Sequence, residues 1–213
     1  QWVRLENSYR IPNVLIPILK DFADRFIPEK QVDLPQEEDE FFSANLRWRQ
    51  TTSPNIVTAA FEEVVAMAGI KLPSIVPFAD VTIAVSNKAL GIGLIKRLAA
   101  ENIKVIHTFD LQTDSNRGVK ADKRKERRKK LFFYKGDARI KITTIHSLKG
   151  LESRSLILCL EGLDPCLSGK LLYTGMTRLK RSDEGSHLTV VSSVNELINH
   201  GSTWPEYQND THQ

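Results

Sequence analysis

Apolar positions recur at two periods along this chain, and the alternation between those periods predicts its architecture. Val14, Leu15, Ile18, Leu19, Phe22 and Phe26 fall at helical spacing within residues 12–26 and form one apolar stripe. Pro12 suits the start of that helix, whereas Pro17 either kinks it or moves its true beginning. Residues 45–49 read as a short strand and 54–68 as a helix that stops at Gly69. The run Val81-Thr82-Ile83-Ala84-Val85 is short and apolar, as a buried strand is. A helix follows over about 89–101, then a strand over 104–109. Strand–helix–strand is the unit that builds parallel sheets. Ile140–Thr144 and Ser155–Leu160 are strand-like, followed by a helix over 169–181, a strand over 187–191 and a last helix over 194–199. Residues 28–40 are acidic and Pro-containing and read as an exposed connector, while 201–213 read as a loose polar tail. The pattern predicts an α/β fold with a mostly parallel sheet and no internal repeat.

Composition narrows the setting. A length of 213 residues suits one large domain, or one domain with a modest insertion. No apolar run approaches the roughly 20 residues of a membrane-spanning helix. The chain starts at Gln1 with no charged-then-apolar leader, so no secretory signal is visible, and without an initiator Met, which suggests an expressed segment, a processed product or a piece of something longer. Cys159 and Cys166 give neither a disulfide framework nor a paired zinc motif, and the five histidines are scattered, so no metal site is expected. An intracellular, cytoplasmic setting follows by default, or a nuclear one in a eukaryote. Net charge is +4, but eight of the eleven residues from Lys120 to Lys130 are Lys or Arg and two are acidic. That stretch carries +6 alone, so the basicity is local.

Three segments carry candidate chemistry. In residues 143–152 (TTIHSLKGLE) a strand ends and hydroxyls, a His, a Lys and a Gly follow at once. Ligands in open α/β sheets gather at the carboxyl ends of strands, and such a turn can hold phosphates. The plain alternative is a polar turn with Ser147 as a helix N-cap. In residues 171–178 (LLYTGMTR), placed at the beginning or middle of a helix, Arg178 offers a planar, permanently charged fork of donors suited to a phosphoryl group. Lys180 and Arg181 nearby leave a solvated helix face as the alternative. Residues 5–10 (LENSYR) place a Tyr-Arg pair before the first helix.

Taken together and in order, these segments resemble motifs V, VI and IV of the UvrD/Rep/PcrA-like superfamily 1 helicases, and the resemblance spans residues 1 to about 195. It implies a RecA-like, mostly parallel sheet flanked by helices: a P-loop NTPase-type second motor domain without the P-loop, over residues 1–200, with a basic insertion at about 112–134. The family's roles carry over position by position. Tyr9 resembles the aromatic that stacks on adenine, and Arg10 the arginine that reaches the γ-phosphate. Arg178 resembles the arginine finger of motif VI. Glu152 resembles the carboxylate that bonds the ribose. Thr144, His146 and Ser147 fall where motif V contacts single-stranded DNA, and Lys149 and Gly150 shape the same turn. The implied partners are single-stranded nucleic acid and an N-terminal P-loop domain, in cis or in trans, which would hold ATP and its Mg.

No GxxxxGK[ST] loop occurs, nor an Asp-Glu pair after a strand, so the chain alone is not expected to hydrolyse ATP. It also departs from the family. Ser8 and Ile11 stand where Asn and Ser are usual, Thr174-Gly175-Met176 replaces Val-Ala-Leu, and Ser153 follows Glu152 in place of Phe. The basic tract at 120–130 reads as a solvated loop, a phosphate-backbone contact surface or an import signal. Phe132, Phe133 and Tyr134 after it read as core or strand-entry residues, or as stacking platforms for bases. Two other functions fit the same segments: a non-catalytic nucleic-acid-binding module that keeps the fold, and a regulatory domain of a larger assembly.

Overall fold

The structure is a computed structural model that describes residues 10–27, 43–69, 76–109, 137–162 and 165–211. Tyr9, the 28–40 connector and the basic insertion lie outside the described residues. Among the described residues seven strands form one sheet: β1 (Ala44–Gln50), β2 (Val81–Val85), β3 (Val105–His107), β4 (Ile140–Thr144), β5 (Ser155–Leu160), β6 (Ser186–Ser192) and β7 (Glu206–Asn209). Their order is β3-β4-β2-β5-β6-β1-β7, and every pairing is parallel. A parallel sheet must be covered on both faces, which is why its inner strands read as continuous apolar runs.

The covering helices are α1 (Leu15–Phe26), α2 (Ile56–Ala68), α3 (Lys88–Ala100), α4 (Pro165–Met176) and the single turn α5 (Ile198–Gly201). Side chains along β5 alternate between two cores. Leu156, Leu158 and Leu160 pack with Leu19 and Phe22 of α1 and Leu172 and Met176 of α4, whereas Ile157 and Cys159 pack with Val64 of α2 and Leu94 of α3. Burial pushes the Cys159 thiol up to about 12, which leaves it inert near neutral pH. No helix among the described residues is long and apolar enough to cross a membrane.

Most expected elements form within a residue or two. Helix α1 begins at Leu15, so Pro17 falls in its first turn, where a missing N–H costs nothing. Gly69 closes α2 at φ 61°, a left-handed cap that glycine adopts without a Cβ penalty. Two expectations fail. The helix placed over 169–181 ends at Met176, because the backbone beyond it pairs with Ser153. And the loose tail is ordered: Glu206–Asn209 extends the sheet beside β1.

Trp48 and Trp204 hold that last segment down. Both are buried, with ring centroids 5.4 Å apart, and Trp204 Nε1 donates to Nε2 of buried His200 at 3.1 Å. A Cβ at Gly201 would lie 2.3 Å from Trp48 Nε1, so only glycine lets α5 approach this closely. The other His200 nitrogen, Nδ1, lies 3.4 Å from Asp21 Oδ2. Burial holds the imidazole below its usual 6.5, with Asp21 opposing in part. A depressed folded value means that the unfolded chain binds the proton more readily. The stability tied to neutral His200 is therefore full above about 6.5 and lost as pH falls through the folded value. His187, lowered by burial and by Arg154, acts in the same direction. We expect a lower urea midpoint at pH 6.0 than at pH 7.5, with His200→Asn flattening the difference; an equal slope in the variant would contradict this.

A second anchor joins β1, β7 and α2. Glu63, 4% exposed, accepts a hydrogen bond from Arg49 Nη1 at 3.3 Å and lies 2.9 Å from Arg47 Nε as an ion pair. Arg49 also reaches Asp210 at 2.6 Å, and Arg47 reaches Glu206 at 3.3 Å.

Candidate nucleotide and nucleic-acid sites

The polar segments fold into two clusters at opposite ends of the sheet. The first lies at the amino ends of β5 and β6. Ser153 N donates to Arg178 O at 3.1 Å and Lys180 N donates to Ser153 O at 2.8 Å, forming a parallel bridge between Ser153 and Leu179. Arg181 N donates to Arg10 O at 2.7 Å. These three main-chain bonds tie the three segments together. The side chains converge accordingly: Arg10 Nη1 lies 3.6 Å from Glu152 Oε1, both partly exposed.

Arg178 stands in the turn after α4, not on the helix as its sequence suggests. Its N–H donates to Gly175 O at 2.9 Å, and Gly175 lets α4 close onto β5, since a Cβ there would lie 2.9 Å from two Leu158 methyls. Arg178 Nη2 donates weakly to Thr177 Oγ1 at 3.4 Å, while its buried Nε has no partner among the described residues. Desolvation lowers the guanidinium's pKa, Arg10 lowers it further and Glu152 opposes the shift. Arg10, Glu152 and Arg178 thus share one electrostatic neighbourhood. A guanidinium with a buried, unused donor fits an oxyanion.

The second cluster caps β4. Thr144 Oγ1 accepts from Ser147 N at 3.2 Å and donates to Ser147 Oγ at 3.0 Å, so Thr144, rather than Ser147, caps the following 3-10 turn. Ile145 and Leu148 are buried beneath that turn, leaving His146 and Lys149 exposed. Gly150 follows at φ 88° with open space around it. Thr144 is level with Val85 and hence with Cys159, four residues beyond Ser155. The two clusters are therefore separated by ~13 Å or more along the strands. Residues 145–152 are the shortest covalent run between them. The carboxyl-end rule locates the Thr144 turn but not the arginine cluster, which sits at the opposite ends.

Sequence reasoning misses the residues that hold the arginine cluster. Ser153 Oγ donates to Asp80 O at 3.1 Å and Ser155 O at 3.0 Å. Arg154 bridges Asp80 Oδ2, at 2.7 Å, and Glu184. The only signal was Ser153 itself, a small residue where an aromatic is usual. A cleft of about 640 Å³ opens alongside, lined by Asp80, Lys141, Gly150, Glu152, Arg154 and Lys180 among others. Neither Arg10 nor Arg178 lines it.

A parallel sheet of this order, covered on both faces, is the RecA-like fold of helicase C-terminal domains. The chain is similar to the C-terminal domain of a possible DNA helicase from Lactobacillus plantarum WCFS1, with a TM-score of 0.52 and 17% identity, covering 96% of this chain and 99% of that one. It is also similar to the C-terminal domain of the DEAD-box protein Dbp5, with a TM-score of 0.49 and 15% identity over 81% of this chain and 93% of that one. No protein-family model and no curated protein matches it.

Proposed function

We propose that this chain is the C-terminal motor half of an ATP-dependent superfamily 1 DNA helicase or translocase of the UvrD/Rep/PcrA type. A domain bearing a phosphate-binding loop, in cis or in trans, holds ATP and its Mg. Arg10 and Arg178 reach over the shared cleft to the γ-phosphate, Glu152 bonds the ribose, and Tyr9 stacks on the base. The observation that carries this reading is the convergence of Arg10, Glu152 and Arg178, which come from three separate segments of the chain. A module that only bound nucleic acid would have no use for two arginines beside a carboxylate there.

Phosphoryl transfer depends mainly on positioning and on stabilising charge that spreads over the γ-phosphate oxygens. In that chemistry Arg178 brings a permanent charge and an unused donor, its Nε. Residues 145–152 then link the nucleotide side to the DNA side, so a shift of the arginine cluster moves the turn bearing Thr144, His146, Ser147 and Lys149. Lys149, which is exposed, neutralises a backbone phosphate in this reading. Lys149→Ala should weaken single-strand binding about equally for all sequences. The slope of log affinity against log salt should become shallower by about 0.7. An unchanged slope would remove Lys149 from the interface, and unchanged binding in a His146→Ala, Lys149→Ala double variant would count against a DNA role for the turn.

A further inference from the structure

We infer that the cleft beside the Ser153–Leu179 bridge is a binding site for a small monocarboxylate with an apolar body, its acid group held by the buried ammonium of Lys141. Arg10 and Arg178 do not line this cleft, so the site stands apart from the proposed γ-phosphate contacts and does not depend on them.

Lys141 breaks the apolar pattern of the inner strands. It is the second residue of β4, which runs between β3 and β2, and it sits in register with Thr82. It is 5% exposed, where a lysine is almost never found unless it is paired. Its hydrogen-bond partners are main-chain carbonyls: Nζ donates to Ala79 O and, at 3.4 Å, to Asp137 O. The carboxylates that act on it, Asp80 and Asp137, are themselves in contact with arginines, Arg154 at 2.7 Å and Arg139 at 2.6 Å. Desolvation outweighs both and lowers the ammonium's pKa. An ammonium has three donors, and the two carbonyls occupy two of them. A carboxylate entering the cleft takes the third and supplies the countercharge that burial demands.

The lining fixes the class of anion. A volume of about 640 Å³ is that of a small-molecule pocket, commonly about 300–1,000 Å³. Leu148 and Leu151 offer an apolar wall, and Thr82 a hydroxyl beside Lys141. Among the described residues four cationic and three acidic side chains line the cleft, which leaves one positive charge in excess. A single negative charge is therefore matched there. A dianion such as a phosphate ester meets Asp80, Glu152 and Asp183 with a charge left over.

The test is NMR titration of the isotope-labelled chain at pH 7 with benzoate, phenyl phosphate and benzyl alcohol. Benzoate should bind about tenfold more tightly than benzyl alcohol, the scale of one charge-assisted hydrogen bond. It should shift the amides of Gly150, Leu151 and Ser153 and give NOEs to the Leu148 and Leu151 methyls. In Lys141→Met, which keeps an unbranched apolar stem and removes the charge, that advantage should vanish while benzyl alcohol still binds. Lys180→Ala, at an exposed position of the lining, should cost benzoate about twofold or less. A larger loss there than in Lys141→Met puts the acid group on the rim and overturns the role of Lys141. Benzoate that binds no more tightly than benzyl alcohol, NOEs to other methyls, or an advantage that survives in folded Lys141→Met overturns the site. Phenyl phosphate binding more tightly than benzoate overturns the monocarboxylate assignment. Should Lys141→Met fail to fold, the NOEs and the order of the three probes in the unaltered chain decide alone.

Discussion

Arg178→Ala should lower ATP turnover of the complete motor by about 10³–10⁵, the contribution of an arginine finger in other nucleotide hydrolases, while leaving single-strand binding intact. The separation of effects follows from the architecture. Arg178 lies in the turn after α4, at the amino-end cluster, whereas the Thr144 turn lies ~13 Å or more away at the other end of the strands. The variant should fold, because Arg178 leans on the fold through its backbone: its N–H bonds Gly175 and its carbonyl bonds Ser153, and Ala keeps both. Among the described residues the side chain makes one long bond, to Thr177. Arg178→Lys should rescue little, because a point charge on a flexible stem does not reproduce a planar fork. Turnover within tenfold of the original in steady-state assays would contradict the assignment.

The second large effect is on stability. Glu63→Ala should cost about 3 kcal/mol, near the lower end of what removing one partner of a buried ion pair costs. Glu63 is itself buried and receives Arg47 and Arg49 together; Arg49 is only 11% exposed, whereas Arg47 is 32% exposed. The cost stays at the lower end because Arg49 keeps Asp210 and Arg47 keeps Glu206. Glu62→Ala, on the exposed side of the same helix, should cost well under 1 kcal/mol. Urea unfolding of the two variants side by side measures the contrast, and equal midpoints would contradict it.

The inner strands were legible for a simple reason. Val81–Val85, Ile140–Thr144 and Ser155–Leu160 are covered on both sides, so almost every position is apolar or small and the run stands out. The end of α4 was not legible. Residues 177–181 contain nothing that stops a helix; what stops it is Ser153, more than twenty residues earlier, which captures Arg178 O and Lys180 N. The last strand escaped notice because Glu-Tyr-Gln-Asn on a sheet edge has no apolar alternation, and it is seated by Trp204 and Asp210 outside it.

The candidate site was legible as residue types and only partly as a place. Hydroxyls, a His and a Gly after β4 pointed to the Thr144 turn, and the structure forms that turn at a strand end, as the sequence implied. The return of residues 149–152 towards the other end of the sheet left no mark on the sequence. The resemblance already assigned Arg10, Glu152 and Arg178 to one nucleotide; the fold adds that Glu152 pairs with Arg10 at 3.6 Å and that both act electrostatically on Arg178.

The most direct measurement is a crystal structure of the complete motor with a non-hydrolysable ATP analogue. The Arg178 guanidinium should lie at hydrogen-bond distance, about 2.7–3.2 Å, from a γ-phosphate oxygen. An Arg178 turned away from the nucleotide, with solvent between them, would contradict it.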